Sequence, residues 1–321
     1  MALSAPFIAL ALAGVALPET HAAASDPQEA ATTDVVITRD DWHERMTVPV
    51  TVIGQGPFHF LIDTGSQNTV ISSSLAARIG VKASSSAMMI SITGRERVET
   101  VELDEIALGK RSFTSLLVPL LEEQNIGAEG IVGLDSLQGQ RVLIDFARNV
   151  MAIDDAKSLG GNRGYEIIVT AKRRSGQLIM TNAKIDGVLS EVNIDTGSEN
   201  SIGNRALQRA LSHRFGSEKG TLRGVTGEEI PADFAVGRSL TFGTMSGGGT
   251  INNIAIAYAD ALPFTYLGLD QKPALFLGMR ELRVFRRVAI DFASRKILFD
   301  VPASADPHSR SITGRIDGRE F

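Results

Sequence analysis

A chain of 321 residues that is 43% hydrophobic and 21% charged has enough apolar material for two ordinary domains or one duplicated design. Its net charge of −5, without a dense Lys/Arg block, gives nucleic acid no electrostatic footprint, so no nucleic-acid partner is expected. The absence of cysteine excludes disulfides, thiolate metal sites, a Cys nucleophile and an N-terminal lipid-bearing Cys.

In chain order, the apolar run Ala5 to Leu17, followed by Pro18 and by Ala22-Ala23-Ala24, has the length and small-residue ending of a secretory signal peptide over residues 1–24. The run is too short to span about 30 Å of hydrocarbon, so no stable membrane span is expected once it is removed. Export to the periplasm or the medium follows from this reading.

Val48 to Val52 and Phe58 to Ile62 then read as strands, with Gly54-Gln55-Gly56-Pro57 as the hairpin turn between them. Ser74 to Ile79 has a helical pattern that stops at Gly80. Strands follow at Thr100 to Leu108, Ser115 to Pro119 and Arg141 to Ile153, and Asp155 to Gly164, rich in Gly and small or polar residues, reads as a linker. Beyond it come strands Leu178 to Ile185 and Val188 to Ile194 around an Asp186-Gly187 turn, and a helix from Arg205 to Phe215. Strands Ser239 to Phe242, Ile251 to Tyr258 and Val288 to Phe299 complete the pattern, with Ser246 to Gly249 as a flexible hairpin connection. Ala303 to Phe321 lacks periodicity and reads as a mobile tail.

The chain repeats itself. Phe60-Leu61-Ile62-Asp63-Thr64-Gly65-Ser66 returns as Val192-Asn193-Ile194-Asp195-Thr196-Gly197-Ser198, an offset of 132 from 63 to 195. Arg141-Val142-Leu143-Ile144-Asp145-Phe146-Ala147 returns as Arg287-Val288-Ala289-Ile290-Asp291-Phe292-Ala293, an offset of 146 from 141 to 287. Two blocks in the same order indicate a duplicated unit of domain size rather than a solenoid. The units are placed at residues 35–155 and 164–301, with 303–321 as the tail. Many short strands and few helices argue for a mostly β fold of two homologous barrel-like lobes, each with a short helix.

An Asp that ends a buried apolar strand is costly unless it is hydrogen-bonded or paired. Two of them, one per unit, can meet across a pseudo-twofold axis. Such a pair shares one proton, so that one carboxylate acts as general base on a water and the other, protonated, donates to the carbonyl under attack. Asp63 and Asp195 are therefore the candidate catalytic pair. Gly65 and Gly197 are read as permitting the tight turn. The hydroxyls of Thr64, Ser66, Thr196 and Ser198 are read as satisfying nearby carboxylate and backbone groups.

Each unit also carries a later apolar element ending in Gly, Gly130-Ile131-Val132-Gly133-Leu134 and Leu275-Phe276-Leu277-Gly278-Met279. With these and the doubled Asp-Thr-Gly-Ser, the chain resembles the retropepsin-like and pepsin-like aspartic proteases over nearly all of residues 45–300. Each lobe is similar to a bacterial retropepsin-like unit. The resemblance implies that Gly133 and Gly278 thread beside the catalytic turns. It also implies flap hairpins at Ile90 to Arg95 and Leu222 to Gly227, with Thr93-Gly94 and Thr226-Gly227 at the tips. Neither tip has the tyrosine of the pepsin flap, and two similar flaps resemble a retroviral dimer fused into one chain.

Asp145 and Asp291 read as structural strand-edge or turn residues. Asp135 is left structural, because Arg280 stands at the equivalent place in the second unit. His43, His59, His213 and His308 are scattered, with no His-Glu-x-x-His, and there is no Gly-x-Ser-x-Gly elbow. No metal and no cofactor are therefore expected. The implied activity is endopeptidase action on a peptide or protein substrate held extended between the lobes, in a monomer with an internal pseudo-twofold axis. The competing class is an inactive pseudoprotease that binds peptides or proteins in the same cleft.

Overall fold

The computed structural model describes residues 7–9, 35–37, 39–40, 46–109, 111–211, 217–244, 247–302 and 311–313. The chain is mostly β, as its short apolar runs require, and the strands among the described residues form three sheets. Among the described residues no helix is long and apolar enough to cross a membrane.

The first nine-stranded sheet belongs to the N-terminal half. Strand Met46–Val52 pairs with Gln55–Ile62 and also with Arg95–Leu108, so the sheet curves back on itself. The C-terminal half repeats the device: Gln177–Ile185 pairs with Val188–Ile194 and with Glu229–Thr244. In both halves the inward residues are apolar, and Val48, Phe60, Val192 and Ile185 are all buried.

A six-stranded antiparallel sheet joins the halves. Its middle is Arg141–Asp145 against Arg287–Asp291, with Leu143 opposite Ala289. Val150–Asp154 and Lys296–Asp300 flank this pair, and Val35–Ile37 and Ile167–Thr170 form the two edges. The edge strands begin 132 residues apart, at 35 and 167, the same spacing as Asp63 and Asp195. Beneath the sheet Phe285 and Phe299 pack with ring centroids 4.7 Å apart, and Phe242 lies 4.7 Å from Phe299, inside a core cluster drawn from both halves. Burial of each such ring stabilises by about 1.5–3 kcal/mol over exposure.

Several local expectations are corrected. The first hairpin turns at Ile53-Gly54, both at positive φ (49° and 69°), and Gln55, Gly56 and Pro57 already belong to the next strand. This two-residue turn matches Asp186-Gly187 in the other half, where φ is 49° and 83°. The stretches Arg141 to Ile153 and Val288 to Phe299 are each two strands rather than one. Asn149 (φ 52°) and Arg295 (φ 56°) make the turns, where Asp145 accepts from the Arg148 N–H and Asp291 from the Ser294 N–H. That places Asp145 and Asp291 as turn-side structural residues.

The first helix runs Ser73–Ile79, capped by the Ser72 hydroxyl and closed by Gly80 in the left-handed region (φ 77°). Its counterpart is described over Arg205–Leu211, and 212–216 lie outside the described residues. Most of the leader 1–24 and of the tail 303–321 also lies outside them. Of these segments, Phe7–Ala9 adds in parallel to Ser85–Ser91, and Ser311–Thr313 adds in parallel to Gly247–Tyr258.

Candidate active site

Each apolar–Gly element supplies the floor of a turn. Gly130–Val132 runs parallel to Phe60–Ile62 and antiparallel to Val70–Ser72, between the strand that enters the Asp63 turn and the one that leaves it. Ala274–Leu277 does the same between Glu191–Ile194 and Ser201–Gly203. The Asp63 N–H donates to the Val132 carbonyl (3.1 Å) and the Asp195 N–H to Leu277 (2.9 Å). A Cβ on Gly133 would strike the Asn68 backbone, and one on Gly278 would lie 2.6 Å from the Glu199 carbonyl oxygen. Only glycine fits against the turn at either place.

The two aspartates meet. Both are fully buried, and burial, then the neighbouring Asp63 charge, raises the Asp195 carboxyl well above the usual carboxylate range. Asp63 Oδ1 accepts from the N–H groups of Gly65 (2.7 Å) and Ser66 (2.8 Å), and Asp195 Oδ1 accepts from Gly197 (3.0 Å). The role read for Gly65 and Gly197 changes: neither has a positive φ. Their bare Cα atoms make room for the opposite aspartate. A Cβ on Gly65 would sit 2.8 Å from Asp195 Oδ1, and one on Gly197 would fall into the Asp63 carboxyl.

The threonines tie the turns together. Thr64 Oγ1 donates to the Ile194 carbonyl (2.8 Å) and Thr196 Oγ1 to Ile62 (2.6 Å), while the Thr64 and Thr196 N–H groups donate to each other's hydroxyls (3.1 and 3.2 Å). They therefore cross-link the two halves rather than serve their own carboxylates. Ser66 and Ser198 stay local, donating to the carbonyls of Asn68 (2.8 Å) and Asn200 (2.7 Å).

Thr93-Gly94 and Thr226-Gly227 stand at the tips of two hairpins, one between Ser85–Ser91 and Arg95–Leu108, the other between Glu218–Arg223 and Glu229–Thr244. The tips touch, with Thr93 Oγ1 3.5 Å from Thr226 Oγ1. Each reaches into the opposite half. Ile92 is buried with Phe264, Leu267, Leu269 and Phe276, and Val225 with Leu61, Val70, Ile126 and Ile131.

Three supports were not read from the sequence. Gln177 Nε2 donates to the Gly65 carbonyl (2.7 Å) across the halves, while its Oε1 accepts from Asn193 (2.8 Å). Asn193 in a position repeated from Leu61 was the available signal. Arg141 and Asp291 form a buried ion pair (2.7 Å) through the joining sheet. Asp135 does have a carboxylate counterpart, Glu281, one residue beyond Arg280; both accept from hydroxyls behind the turns, Thr69 and Ser201. Among the described residues, no group of three or more His, Cys, Asp or Glu is placed to hold a metal.

A model of the aspartyl protease family matches residues 48–136, a span that holds Asp63-Thr64-Gly65-Ser66, the first hairpin tip and Gly133. No curated protein matches the chain significantly.

Proposed function

From residues 48–136, a unit of the retropepsin-like aspartyl protease family, we propose that the whole chain is a two-lobed aspartic endopeptidase with Asp63 and Asp195 as its catalytic pair. The observation that carries this reading is the meeting of two carboxyls 132 residues apart in one buried place, where glycine alone leaves room for both. The family match supports a hydrolase of peptide bonds; the raised Asp195 carboxyl supports the division of labour.

In this mechanism the pair holds one proton, and it rests on Asp195. Ionised Asp63 takes a proton from a water as the water oxygen bonds to the scissile carbonyl carbon. Asp195 gives its proton to the carbonyl oxygen, producing a neutral diol. Asp63 then returns a proton to the amide nitrogen and Asp195 takes one back from the diol as the C–N bond breaks. The substrate lies extended under the two hairpins, whose backbone edges give strand-like hydrogen bonds. Gly133 and Gly278 hold the turns from below, and Thr64 and Thr196 fix the distance between the carboxyls. The curved, self-pairing sheets support two barrel-like lobes related by a pseudo-twofold axis within a monomer, and the leader supports export to the periplasm or the medium.

The mature protein is predicted to cut an unstructured peptide library at some pH between about 3 and 7, the range a shared-proton pair serves. Asp63→Asn and Asp195→Asn should each reduce cleavage to background with circular dichroism unchanged. A wild type that cuts nothing, or Asn variants that cut as well as it does, overturns the reading. Peptide binding without cleavage would leave the pseudoprotease class.

A further inference from the structure

The carboxyls behind the two turns occupy equivalent places, and burial raises the carboxyl in both. Behind the Asp63 turn, Thr69 Oγ1 accepts from the Gly133 N–H (3.1 Å) and donates to Asp135 (2.7 Å), while the Thr69 N–H donates to the same carboxyl (2.9 Å). Asp135 is exposed as a residue, but its carboxyl lies against buried Thr69, and burial raises it. Behind the Asp195 turn, Ser201 Oγ accepts from the Gly278 N–H (3.1 Å) and donates to Glu281, which is 3% exposed. Thr69 and Ser201 repeat at the offset of 132 that relates the aspartates.

The carboxyls do not keep step. Asp135 is the second residue after Gly133, whereas Glu281 is the third after Gly278. A side chain one methylene longer, set one residue later, reaches the same hydroxyl. The residue it displaces, Arg280, is exposed and points to Glu199 (3.4 Å). The connection to the catalytic turn is short: next to Gly278, the Met279 N–H donates to the Ser198 carbonyl (2.8 Å) and the Arg280 N–H to Glu199 (3.0 Å).

We propose that Glu281 is a positioning residue for the Asp195 turn, acting through Ser201 and Gly278 in the place that Asp135 holds behind Asp63. The groups that face it are the Ser201 hydroxyl on strand Ser201–Gly203, the backbone of Ala255 on strand Gly247–Tyr258, and Arg280 on its own helical turn. Burial pushes its carboxyl up to about 7, against the pull of the Ser201 hydrogen bond and the Arg280 charge. Ionisation near neutral pH puts a charge into this dry site, and the strain passes through Gly278 to the Asp195 turn.

The test compares wild type with Glu281→Gln, which keeps the shape and cannot ionise. The kinetic arm rests on the endopeptidase reading. The ratio of kcat/KM, variant over wild type, should rise about twofold from pH 5 to pH 7 with the change in kcat, as a group titrating near 7 goes from neutral to half charged. Use of the ratio cancels the titration of the aspartate pair. Glu281→Ala should lose cleavage at every pH, and Gln should restore it.

The second arm needs no activity and is run in the Asp195→Asn background. With Glu281 present, the unfolded chain releases its proton before the folded one does, so Tm falls between about pH 4.5 and pH 7. With Gln that part of the fall is absent. A flat kinetic ratio, parallel Tm curves, or a Gln variant that does not fold overturns the proposal. A wild type without protease activity sinks the endopeptidase reading and leaves the Tm curves to decide this one.

Discussion

Behind Asp63 the incoming strand buries Leu61 among aliphatic neighbours; behind Asp195 the repeated position is Asn193, whose amide reaches Gln177 and, through it, the carbonyl of Gly65. The Arg–Asp register of the joining sheet differs in the same way. Arg141 pairs with buried Asp291, whereas Arg287, placed opposite Asp145, turns to Asp300 instead. Yet at the axis the scaffold of the two halves agrees: Thr64 and Thr196 exchange equivalent hydrogen bonds, and Gly65 and Gly197 face each other's aspartate. Symmetry is kept in the threonines and glycines at the axis and has drifted in the contacts that join the halves away from it. At the axis one change alters the surroundings of both aspartates at once, while Asn193 reaches the other half at one remove, through Gln177.

The largest effect should come from the joining sheet. Arg141→Met leaves Asp291 buried without its cation and should cost about 3–5 kcal/mol in urea unfolding. Arg287→Met should cost about 1 kcal/mol or less, because Arg287 is partly exposed and Arg286 remains 3.4 Å from Asp300. Equal costs would break the contrast between the two arginines. At the axis, Gly65→Ala and Gly197→Ala should both lose cleavage about 100-fold or more, through displacement of the opposite carboxyl. A tolerated alanine on one side would show that the symmetry there is only apparent. The smallest effect is one of pH. A raised Asp195 carboxyl gives stability that is greatest in acid and is lost as pH rises past its unfolded value of about 4. Asp195→Asn should therefore unfold at a higher Tm than wild type at pH 7, with the gap closing toward pH 4.

What the sequence revealed and what it hid follow from how local each signal is. Asp63 and Asp195 were legible because the whole turn, Asp-Thr-Gly-Ser, is contiguous and repeated. Glu281 was not, because alignment on Gly278 puts Arg280 opposite Asp135, and only side-chain length in three dimensions restores the match. The first hairpin was misplaced because Gly56-Pro57 is a louder turn signal than Ile53, a β-branched residue that seldom takes positive φ. The hairpins inside 141–153 and 288–299 were hidden because Asn149 and Arg295 turn the chain without glycine or proline beside them. Gln177 escaped because its bond to Gly65 spans 112 residues, beyond any periodic pattern.

The touching hairpin tips have a mechanical consequence. Val225, from the second hairpin, is buried beside Met89 and Val98 of the first, and Ile90 and Ile92, from the first, are buried beside Leu222 and Ala232 of the second. Lifting either hairpin alone strips apolar cover from the other. The two are latched like interlocked fingers, so that displacing one exposes apolar surface on both.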